Sequence, residues 1–221
     1  MTHTMPPRPL KLHGYWRSSA AYRVRIALNL KQRAFESVSW SLAQGAHRSA
    51  AFDSLNPQHL VPVLEDGSAR LTQSLAILEY LEERWPDPPL LPAAPAERAA
   101  VRAFAQAIAC DIHPLNNLRV LNYLKGELGL EEARVNAWYR HWIAEGLPAL
   151  EASARRTSTR ATAVFGDTIS FADVCLVPQL YNARRYHCDL SATPTLTAIA
   201  AALERHPAFE AARPEGQPDA T

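Results

Sequence analysis

The sequence predicts an α+β protein of two domains, a mixed α/β layer followed by an all-helical part. Three observations support this. The segment Trp85-Pro86-Asp87-Pro88-Pro89-Leu90-Leu91-Pro92 holds four prolines in eight residues. Proline lacks an amide donor and restricts the residue before it, so a helix stops here and an extended linker follows. Before this break, strand-like and helix-like runs alternate. After it, only helical periodicity is found.

In the first part, residues 10–13 read as a short strand and residues 19–31 as a helix. Tyr22, Ile26 and Leu30 recur there at i, i+4 and i+8. Only Arg23, Arg25 and Asn29 interrupt its apolar character, so this helix is expected to be mostly buried. Residues 35–40 form a weak strand pattern and residues 60–65 a better one. Asp66-Gly67 then offers hairpin chemistry before a short strand at 69–71. Residues 72–84 read as a helix with Ile77, Tyr80, Leu81 and Arg84 along one face. The order β-α-β, then a variable segment, then β-β-α, matches a thioredoxin-like layer. In the second part, residues 97–124 form one long helical pattern that Pro114 should kink. Further helices are expected over 131–154, 170–186 and 195–205. An α/β domain over 9–86 and a helical domain over 95–214 make the α+β layout.

Composition excludes several function classes. Hydrophobic residues make up 48%, charged residues 20%, and the formal net charge is +1, so bulk electrostatics give no reason to expect a nucleic-acid partner. The three cysteines, Cys110, Cys175 and Cys188, are odd in number and lack C-x-x-C spacing. That argues against a disulfide framework and points to a reducing compartment, the cytoplasm by default. Cys110, Asp111 and His113 are poorly spaced for tetrahedral ligation, so no metal is expected. The first eleven residues have no apolar signal core, read as frayed, and offer Met5 as an alternative start. No apolar run approaches the roughly 18–20 residues of a membrane helix, so no membrane partner is expected. The basic run over 155–160 reads as a solvated loop or frayed helix end. His59, Trp138, Tyr139, His141 and Trp142 read as packing or surface residues.

Four features carry chemical or folding information. Pro62 lies in the apolar run Leu60-Val61-Pro62-Val63-Leu64 and belongs at a strand entrance. A cis bond there would turn the Val61 backbone outward to pair with an extended peptide, while an ordinary edge-strand proline is the plainer alternative. Gln73-Ser74 starts a helix after a hairpin, where unpaired amides and the dipole suit a carboxylate, or where the residues simply cap. Ser18-Ser19 opens the first helix, and the same field favours a thiolate there. A thiol of pKa about 8.5 is only a few per cent ionised at neutral pH. Lowering it by about two units needs about 2.7 kcal/mol. A charge-assisted hydrogen bond supplies roughly 1.5–3 kcal/mol and the helix end roughly 0.3–1. One hydroxyl and one helix terminus are therefore enough, although capping alone would also explain the serines. Finally, Ser170 and Asp173 fit a capping box, with Ile169 and Val174 as a hydrophobic staple, which is a folding signal.

Together these features resemble the glutathione transferase family over nearly the whole chain, from Leu10 to about Pro218. Trp16-Arg17-Ser18-Ser19, Arg23-Val24-Arg25-Ile26-Ala27-Leu28-Asn29-Leu30-Lys31, Leu55-Asn56-Pro57, Gln73-Ser74-Leu75-Ala76-Ile77, Leu176-Val177-Pro178-Gln179 and Gln217-Pro218-Asp219 are similar to the zeta class. The resemblance implies glutathione as cofactor, a glutathione-binding first domain, a small dicarboxylate-like substrate and a homodimer. It implies thiol activation by Ser18 and Ser19, with Val61 pairing the cysteinyl backbone. Gln73 and Ser74 would hold the γ-glutamyl group and His47 the glycyl end, with His113 and Asn117 contributing from the second domain. Arg17 and Arg185 match arginines that in a bacterial branch of the class bind substrate carboxylates. Leu118 and Arg119 fall at further positions of the cofactor-binding set.

The activity implied is glutathione-dependent cis–trans isomerisation of maleylacetoacetate in aromatic catabolism, through reversible thiolate addition to the double bond. Maleylpyruvate, the substrate of a bacterial branch, is the alternative. A general glutathione transferase and a non-catalytic glutathione-fold interaction protein are the others. Two positions depart from the family pattern. Ala20 stands where the class often has cysteine, which removes any role for a protein thiol in this loop. Leu118 stands where the maleylpyruvate branch has arginine. Arg119 follows it, but one residue turns a helical side chain by about 100°, so it is not expected to substitute.

Overall fold

A computed structural model describes residues 9–221, and the expectations for a frayed start and for Met5 lie outside the described residues. Residues 9–88 together with Ala208–Thr221 form one compact unit, and Pro89–Pro207 form a second.

The first unit runs β1 (Leu10–Gly14), α1 (Ser19–Leu30), β2 (Phe35–Ser39), α2 (Ala50–Asp53), β3 (Val63–Asp66), β4 (Ala69–Thr72) and α3 (Ser74–Arg84). The sheet order is β2-β1-β3-β4, with β1 parallel to β2 and antiparallel to β3, and β3 antiparallel to β4. This is the thioredoxin-like layer that the element order predicts. α1 packs against α3, and Leu12, Ile26, Leu28, Leu64, Ile77 and Leu78 are fully buried among these elements. As expected, α1 is buried almost all round, leaving only Ala20 and Asn29 partly exposed. Gly67, with φ of +61°, takes the first position of the two-residue β3–β4 loop, where a positive φ favours glycine.

In this unit two boundaries differ from the sequence expectation by more than one residue. β3 starts at Val63 rather than 60, because Pro62 has no amide to donate and the Leu60 carbonyl accepts from Asn56 Nδ2 at 2.7 Å. The third helix starts at Ser74 rather than 72, because Thr72 still pairs with Val63 and Gln73 has φ of +67°. At the end of this unit a buried ion pair joins α1 to α3. Lys31 Nζ donates to Glu82 Oε2 at 2.5 Å and to the Pro88 carbonyl at 2.6 Å.

The second unit holds α4 (Pro95–Gln106), a π-helical turn (Ala107–Ile112), α5 (Leu118–Gly126), α6 (Glu132–Thr157), α7 (Phe171–Arg185) and α8 (Pro194–Leu203). A short α9 (Pro207–Glu210) begins at the boundary between the two units. The long helix expected over 97–124 is not one kinked helix. Pro114 cannot donate an amide, and its ring crowds the carbonyl four residues back. The preceding turn widens, with the His113 amide bonding the Ile108 carbonyl at 2.9 Å. Gly146 on α6 makes room for this turn, since a Cβ there would lie 2.3 Å from Ile112 Cδ1. The basic run expected as a loop or frayed end begins as the last turn of α6, where cations complement the helix dipole. The capping box before α7 forms: Asp173 accepts from the Ser170 amide (2.8 Å), the Ser170 hydroxyl (3.0 Å) and the Val164 amide (2.8 Å). Burial nevertheless raises the Asp173 carboxyl to about 6.

The closing segment Ala208–Thr221 groups with the α/β unit, whereas the sequence reading extends the helical part to 214. Buried Arg25 donates to the Ala212 carbonyl at 3.0 Å, and Asn29 Nδ2 donates to the Ala208 carbonyl at 2.9 Å. Two of the polar residues that interrupt α1, Arg25 and Asn29, thus tie the tail to the first unit.

Candidate functional site

The strand register assembles the site in the α/β unit. His13 near the end of β1 is opposite Val63 at the start of β3, and Val63 is opposite Thr72 at the end of β4. The β1–α1 junction, the β3 entrance and the β4–α3 junction therefore lie at one end of the sheet. They carry Arg17-Ser18-Ser19, Val61 and Gln73-Ser74 respectively.

At the first junction Ser18 is the N-cap of α1. Its φ of −68° and ψ of 117° are extended, and its Oγ accepts from the Ala21 amide at 3.2 Å. A hydroxyl that accepts this bond keeps its own O–H to donate. Ser18 is half-buried, whereas Ser19 is 5% exposed. Arg17 is half-buried, with its guanidinium 4.6 Å from the centroid of the Trp16 ring and Nη2 3.4 Å from the Tyr15 hydroxyl. Stacking on an indole fixes an arginine without consuming all of its donors.

At the β3 entrance the Val61–Pro62 bond is cis. Val61 itself takes no backbone hydrogen bond among the described residues. At the third junction Gln73 combines φ of +67° with ψ of 115°, a region that costs a non-glycine residue roughly 1–3 kcal/mol and clusters at ligand sites. Its Nε2 donates to Gln58 Oε1 at 3.1 Å. Ser74 is buried at the first position of α3, and its Oγ accepts from Arg23 Nη1 at 3.2 Å, which again leaves a hydroxyl proton to donate.

His47 lies in a short 3₁₀ turn (Ala46–Arg48) and is buried. Burial lowers its pKa, and the charges of Arg48 and His59 lower it further, so the ring is neutral at neutral pH. Its buried Nδ1 has no hydrogen-bond partner among the described residues. A buried imidazole nitrogen in that state suits a ligand group. His13, behind the sheet end, accepts from Trp40 Nε1 at 3.1 Å and pairs with Glu65 at 3.2 Å. The His13 hydrogen bond is the main cause of the lowered Glu65 pKa. Trp40 in turn packs edge-on against Phe52, which braces the segment that carries His47.

The remaining predicted positions belong to the helical unit. His113 follows the π-helical turn and is half-buried. Asn117 is the N-cap of α5, its Oδ1 accepting from the Arg119 amide at 3.1 Å. Leu118 is 36% exposed and Arg119 is exposed beside it. Arg185 ends α7 with its guanidinium 4.8 Å from the Tyr186 ring centroid and Nη2 donating to the Tyr186 hydroxyl at 3.0 Å. Tyr186 stacks on Tyr139 at 3.5 Å, and its carbonyl accepts from Arg140 Nε at 2.8 Å.

Within the first unit this arrangement can hold an extended peptide along one sheet end, stabilise an anion at the α1 terminus and bind a carboxylate through Arg17, stacked on Trp16. Among the described residues no group of three or more histidines, cysteines and carboxylates could hold a metal ion. No described helix is long and apolar enough to cross a membrane. The sequence reading assigned no site role to Arg23, His13 or Asp219, although Arg23 and Asp219 stand in motifs that carry the resemblance. Arg23 had a signal, a charge inside an otherwise apolar helix, which must find a partner. Asp219 had none in spacing or periodicity.

Comparison with known proteins is consistent with this geometry. Residues 8–83 match the family described as glutathione S-transferase, N-terminal domain. The chain is 54% identical over 213 residues to a probable maleylacetoacetate isomerase of Vibrio cholerae, covering 96% of this chain and 98% of that protein. It is similar to the holo structure of a maleyl pyruvate isomerase, described as a bacterial glutathione S-transferase in zeta class. That likeness has a TM-score of 0.93 at 46% identity, over 96% of this chain and 100% of that one. It is also similar to a maleylacetoacetate isomerase of Methylobacterium extorquens AM1 with bound malonate and GSH. There the TM-score is 0.91 at 41% identity, over 96% and 99% of the two chains.

Proposed function

The chain belongs to the glutathione S-transferase family, in its zeta class, and from that membership we propose that it is a glutathione-dependent cis–trans isomerase of maleylacetoacetate. The observation that carries this reading is the register that aligns three junctions across β1, β3 and β4. Adjacent strands lie about 4.8 Å apart, so the three span about 10 Å. An extended tripeptide covers about the same length, at roughly 3.3 Å per residue. The unpaired Val61 backbone and the orphaned His47 Nδ1 fit a peptide ligand such as glutathione.

Each residue then has a role. Ser74 and Gln73 bind the γ-glutamyl carboxylate at the α3 terminus, Val61 pairs with the cysteinyl backbone, and neutral His47 bonds the glycyl end. Ser18 donates its hydroxyl proton to the sulfur and the α1 terminus adds its dipole, with Ser19 supporting that end of the helix. When bound, glutathione supplies a thiolate nucleophile whose reversible addition to the conjugated double bond permits rotation. Arg17 binds a substrate carboxylate and stabilises the charge that addition delivers to the substrate. Arg185 is the second carboxylate-binding group, and His113, Asn117, Leu118 and Arg119 complete the set. In this proposal the glutathione-binding domain spans 9–86 and the helical domain 95–214, although its last residues, 208–214, group with the first unit, and the chain works as a cytoplasmic homodimer.

A second reading, maleylpyruvate as substrate, draws support from the 46% identity to a Ralstonia maleylpyruvate isomerase. Leu118, in place of that branch's arginine, favours maleylacetoacetate. Turnover of maleylacetone and maleylpyruvate, with and without glutathione, tests the reading. Glutathione-dependent isomerisation, faster with maleylacetone, is expected. No turnover of either substrate at saturating glutathione would reject the isomerase. Faster conjugation of a neutral aromatic electrophile would point to a general transferase, and size-exclusion chromatography tests the dimer.

A further inference from the structure

The loop that carries Arg17 is held by its neighbour's backbone, and both partners of that backbone come from elsewhere in the unit. The Trp16 amide donates to Asp219 Oδ2 at 3.1 Å, across 203 residues of sequence. The Trp16 carbonyl accepts from Arg25 Nη2 at 2.9 Å. The same Asp219 oxygen accepts from the Ser39 hydroxyl at 2.5 Å, which ties the loop to the end of β2. The tail is itself fixed. Arg25 Nε holds the Ala212 carbonyl, Asn29 holds the Ala208 carbonyl, and Gln217 Nε2 donates to the Ala211 and Arg213 carbonyls. The Trp16 ring is the platform under the Arg17 guanidinium.

We propose that Asp219 is a positioning residue for the isomerisation: through the Trp16 amide it sets the placement of Arg17 and of the Ser18 cap. This rests on the functional reading above and extends it to the C-terminal tail. The physical argument is that a loop between β1 and α1 has few internal hydrogen bonds of its own. Without Asp219 a partly buried amide loses its acceptor, and the Trp16 ring and the guanidinium on it are free to shift. A misplacement of about 1 Å in a group that binds the reacting substrate can cost about a hundredfold. The glutathione contacts of Val61, Gln73 and Ser74 sit on other junctions and do not depend on this tether.

The test compares wild type, Asp219→Ala and Asp219→Asn by steady-state kinetics with maleylacetone, by calorimetric binding of malonate as a dicarboxylate probe, and by thermal unfolding. Asp219→Ala is expected to lower kcat/KM for maleylacetone about tenfold or more and to weaken malonate about tenfold, with KM for glutathione within twofold. Asn keeps the acceptor oxygen, so Asp219→Asn should recover most of both losses. Wild-type-like kinetics and malonate binding in Asp219→Ala would overturn the proposal. So would a uniform loss in every parameter that merely follows the folded fraction, or an Asn variant no better than the Ala variant. A wild-type chain without glutathione-dependent isomerisation would instead reject the functional reading itself.

Discussion

Replacing Ser18 by alanine removes two contributions from one atom. The first is structural, because Ser18 Oγ accepts from the Ala21 amide at 3.2 Å. Loss of such a cap costs about 0.5–2 kcal/mol. The second is chemical. A hydrogen bond to a charged sulfur contributes about 1.5–3 kcal/mol, which is about one to two pKa units at about 1.4 kcal/mol each. If the helix terminus and the hydroxyl together bring a thiol from about 8.5 to about 6.5, roughly three-quarters of it is ionised at pH 7. In Ser18→Ala the midpoint moves to about 7.5–8.5, and the thiolate fraction at pH 7 drops about three- to twenty-five-fold. The assay is ultraviolet titration of thiolate absorbance on the glutathione-bound protein, with chemical denaturation in parallel. Ser18→Thr, which retains acceptor and donor, should restore both. A lowered stability with an unmoved thiol midpoint would reduce Ser18 to a cap. A shift in Ser19→Ala but not in Ser18→Ala would assign the activation to the buried neighbour.

Further perturbations test other parts of the structure. Arg17→Ala should lower kcat/KM for the maleyl substrate by about 10²–10³, as expected for loss of one preorganised charge-stabilising group, while glutathione affinity survives. An unchanged isomerisation rate would remove Arg17 from the site. Lys31→Met leaves Glu82 as a buried charge without its cation, so urea unfolding should report a loss of about 3–5 kcal/mol. The double variant Lys31→Met, Glu82→Leu should recover much of it. Asp173 gains a proton on folding, since its carboxyl rises from 3.8 to about 6. Its contribution is fully present below 3.8 and is lost as pH rises through about 6. Asp173→Asn cannot follow this change. The stability difference between wild type and that variant should therefore shift by about 2 kcal/mol against wild type between pH 4 and 7, and a pH-independent difference would contradict the burial argument.

Much of the fold is legible in the sequence because the relevant forces are local. The apolar spacing of Tyr22, Ile26 and Leu30, the proline-dense break and the Ser170–Asp173 box are each encoded within a few residues, and each forms. The boundaries that differ do so where longer-range geometry intervenes. Asn56 takes the Leu60 carbonyl, Gln73 adopts a positive φ, and the turn before Pro114 widens against a glycine on α6.

By itself the sequence determined which residue types stand at the candidate site: a hydroxyl at each of two helix starts, an arginine beside one of them, and a strand-entrance proline. Their convergence was decided by the tertiary structure. Strand register aligns His13, Val63 and Thr72, and no local pattern specifies pairing between strands some fifty residues apart. The anchoring of the site was decided in the same way. Arg25, Asn29 and Asp219 stood in motifs that carry the family resemblance, but nothing local gave them a partner or a role. Folding turns them into the hydrogen bonds that hold Trp16 and the closing segment, because buried polar groups must find partners wherever the chain brings them.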